Sequence, residues 1–249
     1  MNTIKMFLIV TTLCVFSTPL RAGGSFFDDF DEFDQARWFI SDGWSNGDWM
    51  NCTWSRDAVE VRNGILRLHL QQADNGLECA EIQSHIQFGF GTYEVRQRTG
   101  RGSGVNAAFF TYIGPVHGRA HHEIDIEILL RSPTEVVFNT WRAGIPEQDG
   151  IATVTAAAED EFHHYAFHWA ADGITWFVDG VAVHHAVPPL PEVGQKIYAS
   201  LWSSATFTDW MGPFDANQLP HVLEIDWIGF TALNAPCQFA QSILCGWAE

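Results

Sequence analysis

The chain has 249 residues, 47% of them hydrophobic, with 30 acidic against 13 basic side chains and a formal net charge of −17. That composition supports a sizeable core and excludes a disordered chain. The charge excludes nucleic acid and anionic membrane as partners, because both would be repelled. A neutral polymer would not be repelled, and an acidic one is disfavoured unless positive charge is focused locally.

The first segment reads as a leader. Lys5 precedes an apolar run, Met6 to Phe16, and Ser17-Thr-Pro-Leu-Arg-Ala22 offers small residues suited to cleavage. The run is too short to span a bilayer, which argues against the rival reading of a membrane anchor. Residues 1–22 are therefore expected to be a signal peptide, and residues 23–249 a single domain of a secreted or periplasmic protein. Cysteine use fits an oxidising compartment. Cys14 leaves with the leader, and the four others allow three pairings, of which Cys52–Cys79 and Cys237–Cys245 close the shortest loops. Zinc is the rival, but tight C-x-x-C spacing is missing. Asn51-Cys-Thr53 is a formal glycosylation sequon.

Short β-like segments then follow one another. Val59-Glu-Val-Arg-Asn-Gly64 reads as strand and turn, and Ile65 to Leu70 alternates as the next strand. Gly91 to Arg98, Thr134 to Trp141 and Tyr165 to Trp169 are further strands. Ala156 to Asp160 is the one candidate for a helical turn. Ile174 to Val178 and Val181 to His185 flank Asp179-Gly180, a pair suited to a two-residue hairpin. No linker or repeat interrupts the series. The expected fold is all-β, a jelly-roll sandwich of two curved antiparallel sheets. Eleven tryptophans, among them Trp38, Trp44, Trp49, Trp54, Trp141, Trp202 and Trp210, serve either as core or as faces for sugar rings.

The most informative stretch is Glu123-Ile-Asp-Ile-Glu127. On a strand Glu123, Asp125 and Glu127 share one face, and Ile124, Ile126 and Ile128 the other. Three like charges in a row are costly, and burial adds desolvation. The row therefore reads as an active site, with a metal-binding carboxylate cluster and a solvated acidic face as alternatives. Hydrolysis of a glycosidic bond by the retaining route needs two carboxyl groups about 5–5.5 Å apart. Residues i and i+4 on a strand have Cα atoms about 13 Å apart, so long side chains must lean inward. His163-His164 and His184-His185 have no metal-ligand spacing and read as ordinary strand residues.

The segment HEIDIEIL, with Phe109-Phe-Thr-Tyr-Ile-Gly-Pro115 before it, resembles the lichenase branch of glycoside hydrolase family 16. Gly43-Trp-Ser-Asn-Gly47, Asn51-Cys-Thr-Trp54, Tyr165 to Trp169, Trp176 to Gly180, Leu201-Trp202 and Asp209-Trp210 extend the resemblance over nearly all of residues 23–249. It implies a jelly roll with a cleft across its concave sheet. It implies Glu123 as nucleophile, Glu127 as general acid/base and Asp125 as the nucleophile's support. The uninterrupted E-x-D-x-E spacing resembles lichenases and xyloglucan endotransglycosylases rather than relatives with a bulge in this strand. The resemblance further implies sugar contacts at Trp44, Asn46, Glu81, Phe110, His121, Asn139, Trp141 and Trp202, and supports the pair Cys52–Cys79. It implies a structural calcium ion, with Asp226 and the Gly64 carbonyl as ligands, and no cofactor for catalysis.

Departures concentrate near the cleft. His121 stands where lichenases place tryptophan, His122 replaces an aspartate, Gln83 an arginine and Ser200 an asparagine. His122 alternates to the far side of the strand, which suits a core or supporting role better than tuning of Glu123. The expected function is endo-hydrolysis of mixed β-1,3-1,4-glucan, with a glucose-rich bacterial exopolysaccharide as the alternative substrate. A transglycosylase of the same fold and a non-catalytic carbohydrate-binding module are the rival functions. The expected partner is the β-linked polysaccharide alone, bound by a monomeric chain.

Overall fold

Strong period-two patterning builds the two layers of the molecule. The computed structural model describes residues 23–154 and 157–246; the leader expected over residues 1–22 lies outside the described residues. The strands are β1 (Phe26–Asp28), β2 (Trp38–Ile40), β3 (Thr53–Trp54), β4 (Val59–Arg62), β5 (Ile65–Ala73), β6 (Gly76–Ser84), β7 (Gly91–Thr99) and β8 (Val105–Ile113). They continue with β9 (His122–Leu129), β10 (Glu135–Arg142), β11 (Ile145–Thr153), β12 (His163–Trp169), β13 (Ile174–Val178), β14 (Val181–Ala186), β15 (Lys196–Ser203) and β16 (His221–Ala232). One sheet runs β11-β10-β9-β8-β15-β6 and the other β5-β16-β7-β12-β13-β14, joined through the β5–β6 hairpin. This is the expected jelly-roll sandwich.

Alternation decides what each strand buries. Leu66, Leu68 and Leu70 of β5 are fully buried, as are Ile124, Ile126 and Ile128 of β9. Tyr93, Phe167, Trp169 and Trp176 fill the space between the layers. Each such side chain contributes about 1.5–3 kcal/mol by leaving water. The Trp176 indole N–H, on β13, donates to the Asp125 carbonyl at 3.0 Å and ties the far sheet to the acidic strand. A bare indole nitrogen in the core would cost free energy, so this bond fixes both ring and strand.

Two hairpins turn as the sequence predicts. Asn63 and Gly64 have φ of 55° and 70°, and Asp179 and Gly180 have 50° and 78°. Two successive positive φ values suit the twist of the flanking strands. At the expected helical turn, Ala156 lies outside the described residues, and Asp160 N donates to the Ala157 carbonyl in a single turn. Both expected disulfides form, Cys52–Cys79 and Cys237–Cys245. The first fastens the loop before β3 to β6. The second closes a C-terminal loop that docks on the outer sheet, where Glu94 accepts from Ser242 Oγ and Ile243 N.

Among the described residues no helix is long and apolar enough to cross a membrane.

Candidate active site

The inner sheet presents its side chains in rows. Register sets Lys196 opposite Tyr112, Tyr112 opposite Glu123, and Glu123 opposite Trp141. The next row is Gln83, Tyr198, Phe110, Asp125 and Asn139. The third is Glu81, Ser200, Ala108, Glu127 and Val137. Strand β9 keeps an unbroken register with both neighbours, so the three carboxyl groups stay on one face. This straight pairing is what the E-x-D-x-E spacing predicts.

A groove of about 940 Å³ runs over these rows. Glu123, Asp125 and Glu127 form part of its floor, and all eight side chains expected to touch sugar line it: Trp44, Asn46, Glu81, Phe110, His121, Asn139, Trp141 and Trp202. Trp44 is 40% exposed and stacks on Phe39. Asn46 Oδ1 accepts from the Trp54 indole at 3.0 Å, which orients the amide. Phe110 stacks on Tyr198 with centroids 4.9 Å apart. The tryptophans divide between the two uses the sequence leaves open. Trp38, Trp169 and Trp176 are buried in the core, Trp44, Trp49, Trp141, Trp202 and Trp210 face the groove, and Trp54 is buried beneath the groove wall.

Further lining residues escape a reading along the chain: Tyr112, His117, Tyr198 and Phe207. Tyr112 shares a face with Phe110, and Tyr198 with Trp202, so period-two alternation on β8 and β15 was the signal available for those two. Trp49 and Phe207 stack at 5.5 Å across loops 155 or more residues apart, and Ser204 Oγ donates to the Trp49 carbonyl. Nothing local in the sequence marks that meeting.

Each carboxyl group has its own electrostatic setting. Burial raises the pKa of Glu123, and His121 opposes that shift through its charge and a 2.6 Å contact from Nε2 to Glu123 Oε2. The His121 ring is in turn held flat against Trp141, centroids 5.0 Å apart. Burial pushes Glu127 up to about 7, with Glu123 adding to the shift and a 2.7 Å hydrogen bond from Asn106 Nδ2 opposing it. Asp125 is held well above the carboxylate range by burial and by repulsion from both glutamates. Glu81 is pushed up to about 7 by burial, against the hydrogen bond that Ser41 Oγ donates to it. The four groups cannot all be ionised near neutrality, so protonated and ionised carboxyl groups coexist on the groove floor.

His122 faces away from the groove, as its place in the alternation predicts, and burial lowers its pKa. The calcium expectation fares differently. Pairing of Ile225 with Leu66 brings Asp226 near Gly64, but the Asp226 carboxylate accepts from Arg96 Nη1. A guanidinium already neutralises it. Calcium takes about six to eight oxygen ligands, and among the described residues no group of three His, Cys, Asp or Glu side chains is placed to hold a metal ion.

A row of carboxyl groups on the floor of an aromatic-lined groove, carried by a jelly-roll sandwich, defines a glycoside hydrolase. The chain belongs to glycosyl hydrolases family 16, whose family model matches residues 46–229. It is 42% identical to Endo-1,3-1,4-beta-glycanase ExoK of Rhizobium meliloti over 226 residues, 89% of this chain and 84% of that protein. It is 37% identical to the beta-glucanase of Paenibacillus macerans over 231 residues, 91% of this chain and 97% of that one. The solved structure of Bacillus licheniformis beta-glucanase superposes with a TM-score of 0.82 at 34% identity, covering 85% of this chain and 99% of that one.

Proposed function

We propose that the chain is a retaining endo-β-glucanase that cuts β-1,4 bonds in mixed-linkage β-1,3-1,4-glucan. The observation that carries the proposal is the unbroken row Glu123, Asp125, Glu127 beneath a groove of aromatic rings. The names of the relatives, a 1,3-1,4-beta-glycanase and beta-glucanases, support the substrate.

In this reading Glu123 attacks the anomeric carbon, and Glu127 protonates the departing glycosidic oxygen. A covalent glycosyl-enzyme forms and the first product leaves. Glu127, now ionised, takes a proton from water, which attacks the same carbon and releases Glu123. His121 keeps the buried nucleophile ionised by donating to it. Asp125, protonated between its two neighbours, limits the charge that builds up along the strand. Trp44, Phe110, Trp141 and Trp202 supply flat faces for sugar rings, and Asn46, Glu81 and Asn139 supply polar contacts. The chemistry calls for no cofactor. The enzyme works as a monomer outside the cytoplasm, secreted or periplasmic, a placement supported by the leader-like segment and the two disulfides.

The test is to incubate the protein with mixed-linkage β-glucan and follow product size and anomeric configuration, with Glu123→Ala in parallel. Rapid chain shortening with a β-anomer released first, abolished in the variant, is the expected result. Release of an α-anomer would overturn the retaining mechanism, and an intact polymer would overturn the substrate.

A further inference from the structure

Positive charge is scarce in this protein, and one piece of it sits in the groove. Lys196 and Lys5 are the only lysines in the sequence. Lys196 opens β15 on the face shared by Tyr198 and Trp202, and it ends the row that contains Glu123. Two strand spacings separate it from the nucleophile's strand, about 10 Å. Among the described residues no carboxylate forms a salt bridge with it, although most of the arginines in the described chain have such a partner. Half-burial lowers its pKa, with no acidic neighbour opposing the shift.

The groups around Lys196 are donors short of an acceptor. Lys196 Nζ donates to Gln83 Oε1 at 3.2 Å, and the Tyr198 hydroxyl donates to the same oxygen at 3.3 Å. His117 Nδ1 accepts from Gly114 N, so the proton of the neutral ring lies on Nε2, which points at the Tyr198 hydroxyl 3.4 Å away. The charge on Lys196 further lowers the His117 pKa, which places the two side chains in one field. One amide oxygen therefore serves a chain of three donors. An ammonium carries three N–H groups and no acceptor, so at least two of its hydrogens are left for something else. Gln83 cannot provide more, since Oε1 already accepts two hydrogens and Nε2 is itself a donor, to Ser41 Oγ.

We infer that Lys196, Tyr198 and His117 form a subsite for a carboxylate borne by a sugar close to the cleavage point. The inference rests on the proposed glycanase function and narrows its substrate to β-glycans that carry acidic substituents. A carboxylate supplies two acceptor oxygens and a charge opposite to Lys196, which is what the cluster lacks. The fields of Glu81 and Glu123 reach this cluster, since both add to the rise that burial gives the Tyr198 pKa, and the Lys196 ammonium is the charge that offsets their repulsion for an incoming carboxylate. An otherwise acidic protein thus focuses its positive charge where an acidic chain would enter.

The experiment uses two polymers, mixed-linkage β-glucan and the same glucan lightly carboxymethylated, and three proteins, the parent, Lys196→Met and Lys196→Arg. The readout is the ratio of kcat/KM on the carboxymethylated polymer to that on the unmodified one. The expected result is a ratio about fivefold lower for Lys196→Met than for the parent, the size of a partly exposed ion pair. Lys196→Arg is expected to restore it, and added salt to shrink the difference. An equal ratio in parent and Lys196→Met would overturn the subsite. Failure of the parent to cut either polymer would instead overturn the proposed glucanase function. Because each ratio is internal to one protein, a loss of folded material cancels.

Discussion

His121 Nε2 lies 2.6 Å from Glu123 Oε2, and the two side chains share a hydrogen bond at the start of the acidic strand. The ring is clamped between Trp141 and Tyr112, with centroids at 5.0 and 5.3 Å. His121→Phe keeps a ring for Trp141 and removes the hydrogen bond. The loss of a charge-assisted bond predicts a fall in kcat of about tenfold with little change in KM. The acidic limb of the pH profile should move to higher pH, because His121 lowers the Glu123 pKa and the proposed nucleophile must be ionised. Steady-state kinetics from pH 4 to 8 would show an unmoved limb if the contact had no electrostatic role.

In the proposed mechanism Glu127 sets the other limb. Its pKa of about 7 is raised by burial, so it stays protonated below that value and able to act as the acid. Activity should therefore decline as pH rises through about 7. Asn106 donates to Glu127 and opposes the shift, so Asn106→Ala should move this alkaline limb upward. The kcat/KM profile checks both statements.

Glu81 links the groove to stability. Its folded pKa is about 7, above the ordinary value, so the folded state prefers the protonated acid. That preference stabilises the fold fully below about pH 4.5 and is lost as pH rises through 7. Glu81→Gln keeps an oxygen to accept from Ser41 and removes the titration. Thermal melts should show a higher Tm than the parent at pH 8 and no difference at pH 4.

Trp176→Phe removes the N–H that donates to the Asp125 carbonyl from the opposite sheet. Loss of the bond and of ring volume predicts about 2–3 kcal/mol of destabilisation. Urea unfolding would measure it, and a value near zero would mean that the carbonyl finds another donor.

Chelation tests the site near Gly64. With Asp226 held by Arg96, EDTA should leave the Tm unchanged to within about 1 °C. A clear fall in Tm, reversed by calcium, would show that an ion displaces the guanidinium.

The sequence by itself determined whatever depends on local period and turn chemistry. Alternation along His122 to Leu129 puts Glu123, Asp125 and Glu127 on one face and the isoleucines on the other, whatever the partners. Asn63-Gly64 and Asp179-Gly180 specify their hairpins because both positions need positive φ. The cysteine pairs follow from closing short loops. Only the tertiary structure decided what meets across the groove. Lys196 and Glu123 lie in one row because β8 stands between β15 and β9, an order no local pattern encodes. Trp49 joins Phe207, Arg96 takes Asp226, and Glu81 loses its solvent through packing of segments far apart in the chain. Side-chain direction is a property of a strand and can be read along it. Register between distant strands, and the desolvation that moves carboxyl pKa values, are properties of the assembled sandwich.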